Sequence, residues 1–523
     1  MAPGGEFLYI LRRMALLRSV ATVGGYTMIS RVLGFLREML TAAFLGAGPL
    51  ADAFFVALRL PNMFRSLFAE GAFSAAFVPL FAGRLAQEGR PAARRFAEDA
   101  LAVLLVALLL FLVAGEILTP WILDLLAPGF RADPEKFARA VDLTRIMFPY
   151  LLFISLTALE GGVLNSLERF AAAAATPVLL NIFLIAVLVG VRPLTGAALA
   201  WAVTAAGFAQ FLWLMFSCAR AGIPLSLPRP RLTPEVRHLL RLMLPGAFGA
   251  GVIQINLLVS TAMASFLPSG TVAYLNYADR LNQLPLAVVG FAVGTAILPP
   301  LSRHVRSGDV ARAIDTQNRG VELALLLALP AAVGLAAAAH PILSVLFQHG
   351  KFTAIDTAAT APALAAYALG LPAFVLVKVL VPGFLARQDT KTPVKTAAVA
   401  MLVNVTLTVA LGVTLAQLGV ALALTLAGWV NALMLLVLLY RHGHFAFDPR
   451  ARRALPRILL AALGMGGLVL ALEYVLRAPL NGAFVAQVAA LALLVTAGLA
   501  GFAALVLLLG VADWRDLMRR FRR

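Results

Sequence analysis

Arginine is the commonest charged residue inside the apolar stretches of the first third of the chain: Arg31, Arg37, Arg59, Arg65 and Arg145, accompanied by Glu38, Asp52 and Glu70. A guanidinium stays charged at every accessible pH and presents planar pairs of N–H donors, the geometry that grips phosphate oxygens two at a time. With Arg280 and Lys378 further along, this is equipment for holding an anion, and arginines converging from several helices would suit a diphosphate. A charge at the bilayer centre costs about 2.5–3.5 kcal/mol on insertion scales, so the group implies a watery cavity and a task within it. Spacing sorts its members. Arg31 and Glu38, like Asp52 and Arg59, are seven residues apart, which returns to one helix face after two turns and predicts partial self-neutralisation. Arg37 and Arg65 have no acid three, four or seven residues away, which marks them as the better ligands for an external anion. Six scattered histidines and the lone Cys218 predict no metal site and no internal disulfide.

The elements that must carry these residues are membrane helices. The chain is 61% hydrophobic and 13% charged, and its apolar runs repeatedly reach the roughly 20 residues that cross a bilayer as helix. Fourteen segments begin near residues 20, 50, 96, 140, 171, 195, 238, 270, 313, 357, 393, 417, 454 and 483. An all-α polytopic protein is expected, and an even count puts both termini on one side. The N-terminus, 83–95, 168–169, 219–241, 303–319, 387–395, 441–457 and the C-terminal tail together hold thirty Lys and Arg. The other connections hold six: Arg131, Lys136, Arg139, Arg192, Lys351 and Arg477. Both termini are therefore expected in the cytoplasm, and the net charge of +18 reads as a topology signal, not as nucleic-acid binding. No cleavable signal is expected, because Met14–Gly46 is too long for a signal-peptide core and carries Arg31 and Arg37 in its middle.

A repeat runs through the chain. Arg59, Pro79 and Pro120 are separated by 20 and 41 residues, and Arg280, Pro300 and Pro341 reproduce those separations 221 residues later. Gly162 and Gly383 share that offset, while Pro149 and Pro372, like Asn181 and Asn404, lie 223 apart. This predicts two six-helix lobes inserted the same way up around a central cavity, the architecture of alternating access. The expected division is 1–19 cytoplasmic, 20–220 first lobe, 221–441 second lobe, 442–510 two extra helices, and 511–523 a basic tail. The charges were not copied: adding 221 to Arg31, Arg37, Arg65 and Glu70 lands on Val252, Leu258, Leu286 and Phe291, and only Arg59 meets an arginine, Arg280. The positive excess of the first lobe implies an anionic substrate. Pro61, Pro79, Pro285 and Pro299-Pro300 are expected to interrupt helices 2 and 8, and Gly24-Gly25, Gly34 and Gly46-Ala47-Gly48 to loosen helix 1 as bending points.

Six words of the chain resemble the MurJ (MviN) family of lipid II flippases: Ser30-Arg-Val-Leu-Gly-Phe-Leu-Arg-Glu38, Ala51-Asp-Ala-Phe-Phe-Val56, Leu60-Pro-Asn62, Phe68-Ala-Glu-Gly-Ala-Phe-Ser74, Tyr277-Ala-Asp-Arg-Leu281 and Arg387-Gln-Asp-Thr-Lys-Thr-Pro393. The resemblance implies a bacterial inner-membrane member of the multidrug/oligosaccharidyl-lipid/polysaccharide exporter superfamily. Such a protein moves undecaprenyl-diphosphate-linked peptidoglycan precursor to the outer leaflet, without a cofactor, alongside other cell-wall synthesis proteins. It implies substrate contact at Arg31, Arg37, Asp52, Arg65, Asp279, Arg280 and Lys378, with Glu38, Arg59, Asn62 and Glu70 in support, and a polyprenyl groove in helices 13 and 14. Gln283 stands where some relatives have an acid, which leaves the membrane potential or a monovalent cation to drive transport. Three rivals fit less well. A drug exporter for cations would want acids and aromatics in its cavity. A polyprenyl-phosphate transferase would want clustered acids for magnesium, and Glu98-Asp99 reads as a solvated helix start. A scaffold would not retain charge that breaks the repeat.

Overall fold

The computed structural model describes the backbone of residues 4–65 and 73–511, and the side chains of these except for residues 4–21, 64, 244–257 and 291–296. The described residues are mainly helical, joined by short turns apart from an irregular connection at 221–233. The helices are α1 (Gly4–Leu45), α2 (Pro49–Phe64), α3 (Phe73–Gln87), α4 (Arg90–Leu126), α5 (Pro134–Met147), α6 (Pro149–Ser166), α7 (Phe170–Gly190) and α8 (Gly196–Arg220). There follow α9 (Pro234–Ser265), α10 (Thr271–Arg306), α11 (Val310–Ala337), α12 (Ala339–Phe347), α13 (Ala354–Leu385), α14 (Lys391–Arg441), α15 (Pro449–Val475), α16 (Arg477–Leu480) and α17 (Phe484–Leu508). Among the described residues, nine helical stretches are long and apolar enough to cross a membrane. The chain forms two compact units, Met1–Ala262 and Met263–Arg523.

In the first unit, Phe73, Phe77 and Phe81 of α3 form a stacked ladder that continues onto Phe96 of α4, with Phe77 and Phe96 centred 5.6 Å apart. Leu159 and Val163 of α6 and Leu214 and Cys218 of α8 complete that core. Gly162 lets α6 reach the ladder, since a Cβ there would stand 2.9 Å from the ring of Phe77. In the second unit, α13 is buried on most sides, and Leu371, Val375 and Val379 meet Leu301, Ala324, Leu435 and Leu439. α15 and α17 join this unit through Met465, Val469 and Leu494 while leaving Leu470, Val475, Phe484 and Leu499 exposed, as lipid-facing surfaces are. The three proline sites of helix 8 do not break it: α10 runs on through Pro285, Pro299 and Pro300.

α14 contains two of the expected segments. It is broken at Ala416, whose φ of 49° and ψ of −129° are not helical. Eight residues of continuous helix would separate Leu411 from Gly419 by about 12 Å. Instead a Cβ on Gly419 would collide with the Leu411 carbonyl oxygen, so the chain reverses there into two halves.

Helix ends recur at a nearly constant interval. Leu45 and Ser265, Gln87 and Arg306, Arg90 and Val310, Pro134 and Ala354, Ser166 and Leu385, Phe170 and Lys391, and Arg220 and Arg441 are each 219–221 residues apart. The turns agree too. After α6 the Leu164 carbonyl accepts from the Arg169 amide at 2.9 Å, and after α13 the Phe384 carbonyl accepts from the Asp389 amide at 3.0 Å. Both turns use a non-glycine residue at positive φ, Glu168 (59°) and Gln388 (62°). Long-range ties repeat as well. Glu98 of α4 accepts from the amide and hydroxyl of Ser226 beyond α8, and Asn318 of α11 donates to the Ala446 carbonyl beyond α14 at 2.8 Å. Glu98, also held by Arg94 at 2.8 Å, is thus a buried strut and not the solvated helix start expected for it. Its carboxylate needs these donors because burial without them would leave charge uncompensated.

Candidate functional site

In the first unit the polar residues of α1 are organised by α7. Arg37 donates from Nη2 to Glu38 Oε1 at 2.5 Å and from Nη1 to Asn181 Oδ1 at 3.1 Å. Asn181 in turn donates to the Ser30 carbonyl at 3.0 Å, and its amide packs over Gly34, where an added Cβ would meet it at 3.6 Å, an ordinary contact. Glu38 is only 5% exposed. This corrects two expectations. Glu38 neutralises Arg37, its neighbour, and not Arg31 two turns away; and Arg37 is not an arginine without an acid. Adjacent helical residues do not normally face each other, and only the length of the guanidinium stem brings the two together. Arg31 is exposed and, among the described residues, forms no hydrogen bond or ion pair. Asn181, which the sequence offered only as a repeat marker, belongs to this polar cluster.

Asp52 in the first turn of α2 is 1% exposed and paired with Lys136 Nζ at 2.7 Å. Lys136 sits in the first turn of α5, where Asp133 caps the helix by accepting from its amide at 3.1 Å. Its ammonium lies 4.2 Å from the centre of the Phe130 ring. Lys136 therefore belongs to the interior, not to the loop cations with which its sequence neighbours place it. Arg59, Asn62 and Arg65 are half-buried on α2, and Arg65 closes that helix with its amide on the carbonyls of Pro61 and Asn62. Arg145 is exposed on α5 and donates to the Glu116 carbonyl at 3.3 Å. Glu70 lies outside the described residues.

In the second unit the word Tyr277-Ala-Asp-Arg-Leu281 divides by face. Tyr277 is fully buried against Phe347 and Phe352, which places Asp279 and Arg280 at a half-buried surface of α10. Gln283, one turn on, donates to Asp279 at 2.5 Å and so holds the carboxylate that an acid in its place would repel. Lys378 of α13 is exposed and, among the described residues, forms no hydrogen bond or ion pair. Its side chain lies on α10 at Gly290, ten residues and about 15 Å of helix beyond Arg280, so the structure does not gather Lys378 with Asp279 and Arg280. The word at Arg387–Pro393 is a turn device. Asp389 caps α14 by accepting from the amides of Lys391 and Thr392, and bonds to Thr392 hold its carboxyl below the usual carboxylate range. Burial draws the Arg387 guanidinium down, and it donates to the Gly383 carbonyl at 2.7 Å.

A sequence model of the lipid II flippase MurJ family matches residues 41–493. The chain belongs to the MurJ family. A probable lipid II flippase MurJ of Rhizobium meliloti is 46% identical over 520 residues, 98% of this chain and 97% of that relative. The lipid II flippase MurJ of Burkholderia cenocepacia is 39% identical over 463 residues, 87% of this chain and 90% of the relative. A solved MurJ structure in an inward closed conformation superposes with a TM-score of 0.76 at 25% identity, covering 95% of this chain and 99% of that one. An inward-facing multidrug MATE transporter shares the fold alone, with a TM-score of 0.64 at 15% identity over 81% of this chain.

Proposed function

We propose that this chain flips lipid II, the undecaprenyl-diphosphate-linked peptidoglycan precursor, from the cytoplasmic to the outer leaflet of the bacterial inner membrane. The observation that carries this is the set of intramembrane arginines on α1, α2 and α10 in a chain that aligns end to end with MurJ relatives. The reading includes fourteen spans with both termini in the cytoplasm, and two six-helix lobes that alternate access to a cationic cavity. Helix ends that recur at 219–221 residues, and the paired turns at Glu168 and Gln388, support the duplication. α15 and α17, outside the repeat, would carry the polyprenyl tail on their exposed apolar faces.

Physical cost explains the division of labour. The diphosphate cannot enter hydrocarbon, whereas a polyprenyl tail is at home there, so the protein need shelter only the headgroup. Arg31, Arg37, Arg65 and Arg280 would hold the diphosphate, with Asp52, Asp279 and Lys378 completing the polar wall. No chemical step is involved; this is a transporter and not an enzyme. The membrane potential supplies about 2.3 kcal/mol per charge moved through 100 mV, enough to bias the cycle, and a monovalent cation is the other candidate driver.

Arg31 offers the cleanest test, because its removal strands no buried partner among the described residues. Arg31→Ala is expected to slow lipid II translocation in reconstituted vesicles about tenfold or more, the value of one lost charge-assisted bond, with unchanged abundance and melting temperature. An unchanged rate would remove Arg31 from the site. If native lipid II failed to co-purify with the intact chain while cationic drugs bound, the exporter reading would replace this one.

A further inference from the structure

The side chain of Lys378 occupies space that any residue other than glycine would fill at position 290. A Cβ built on Gly290 of α10 would stand 2.8 Å from Nζ, 2.9 Å from Cδ and 3.2 Å from Cε of Lys378. Three successive atoms of the lysine therefore run along bare backbone. Gly290 is itself buried, and its neighbour Val289 belongs to the core that also contains Val375 and Val379, so α13 is held against α10 on both sides of the lysine.

We propose that Gly290 is a positioning residue of the headgroup site: it is the seat that fixes where the Lys378 ammonium stands. This rests on the reading above that Lys378 serves the diphosphate. A lysine with no ion pair among the described residues has about 2 kcal/mol of rotamer entropy to spend on wandering, and in a membrane its natural course is to snorkel toward the nearest aqueous edge. The groove at Gly290 confines it without consuming its charge, as a carboxylate partner would. Gly290 also stands eleven residues, three helical turns, from Asp279, and so on the face of α10 that carries Asp279 and Gln283. The ammonium is thus held about 16 Å along the same stripe. In this arrangement one wall of the second unit offers an anion two successive stations, first Asp279-Arg280 and then Lys378.

Gly290→Ala tests the seat. Alanine is the better helix former, and the nearest displaced atom is the far end of a flexible side chain, so the fold should tolerate the change while the ammonium moves. The chain has five lysines, so reductive 13C-dimethylation of the full-length protein in detergent yields few side-chain signals, and Lys378→Arg identifies the relevant one. In Gly290→Ala the Lys378 signal is expected to shift, with the other four lysines unmoved, and lipid II affinity to fall about tenfold. In a Lys378→Ala background, adding Gly290→Ala is expected to cost nothing further. An unmoved signal, or losses that multiply in the double variant, would overturn the proposal. A signal that moves while both single variants bind lipid II normally would leave the seat standing and overturn the headgroup reading of Lys378 on which its role depends.

Discussion

Lys136→Met is expected to deplete the folded protein severely, because it leaves Asp52 charged at 1% exposure without its ammonium. Removing one partner of a buried ion pair costs about 3–5 kcal/mol, a large share of the total stability of most domains. The ring of Phe130 beneath the ammonium adds to what is lost. Membrane abundance and the melting temperature in detergent read the effect directly. The informative partner experiment is Asp52→Asn with Lys136→Met, which replaces the pair by a neutral polar group beside an apolar one. Abundance is expected to recover in the double variant. If translocation recovers with it, Asp52 is a structural residue that ties α2 to α5; if translocation stays lost, the carboxylate also acts on the substrate. An unaltered melting temperature in Lys136→Met would show that the pair contributes nothing.

The helices were legible because apolar run length is a direct physical requirement of the bilayer, and the cluster of arginines was legible because charge in such runs is costly. Partners were not. Asp52 and Lys136 are 84 residues apart, and Lys136 stands among Arg131, Glu135 and Arg139, in a stretch polar enough to be taken for loop until α5 turns one face inward. Heptad spacing suggested Arg31 with Glu38, but a side chain chooses by what packs above it, and Asn181 of α7 draws the Arg37 guanidinium over to the acid. The reversal at Ala416 was visible as a gap between two apolar segments, though not as a turn, since the strained residue is alanine.

Comparable places in the two units show how a duplicated frame could diverge in its fittings. Where Asp52 and Lys136 join the starts of α2 and α5 by charge, Tyr274 donates to Asp356 at 2.9 Å between the starts of α10 and α13. The first is a pair of ions whose desolvation must be repaid in full; the second places one carboxylate among a phenol and the hydroxyl and amide of Thr353. On the duplication proposed above, the frame persisted because helix ends and turns fix packing. The charges were free to specialise, and the first unit kept the costlier set.

Arg37 carries the second large effect, and its partners decide how it must be tested. Arg37→Ala would take away the guanidinium from which Glu38, 5% exposed, accepts, beside an Asn181 that has lost its donor. Loss of transport in that variant would therefore mix a missing ligand with a damaged α1–α7 contact. Pairing it with Glu38→Gln removes the buried carboxylate charge as well, so the double variant is expected to return to normal abundance while lipid II translocation stays at least about a hundredfold down, the cost of losing a bidentate guanidinium on phosphate. Arg37→Lys is expected to fail nearly as badly, because one ammonium cannot span Glu38 and Asn181 as the two arms of the guanidinium do. Arg31→Lys, with no partner geometry to reproduce, is expected to keep most of its activity. Recovered transport in Arg37→Ala with Glu38→Gln would make the arginine a clasp between α1 and α7, and would shift the headgroup site onto Arg31, Arg65 and Arg280.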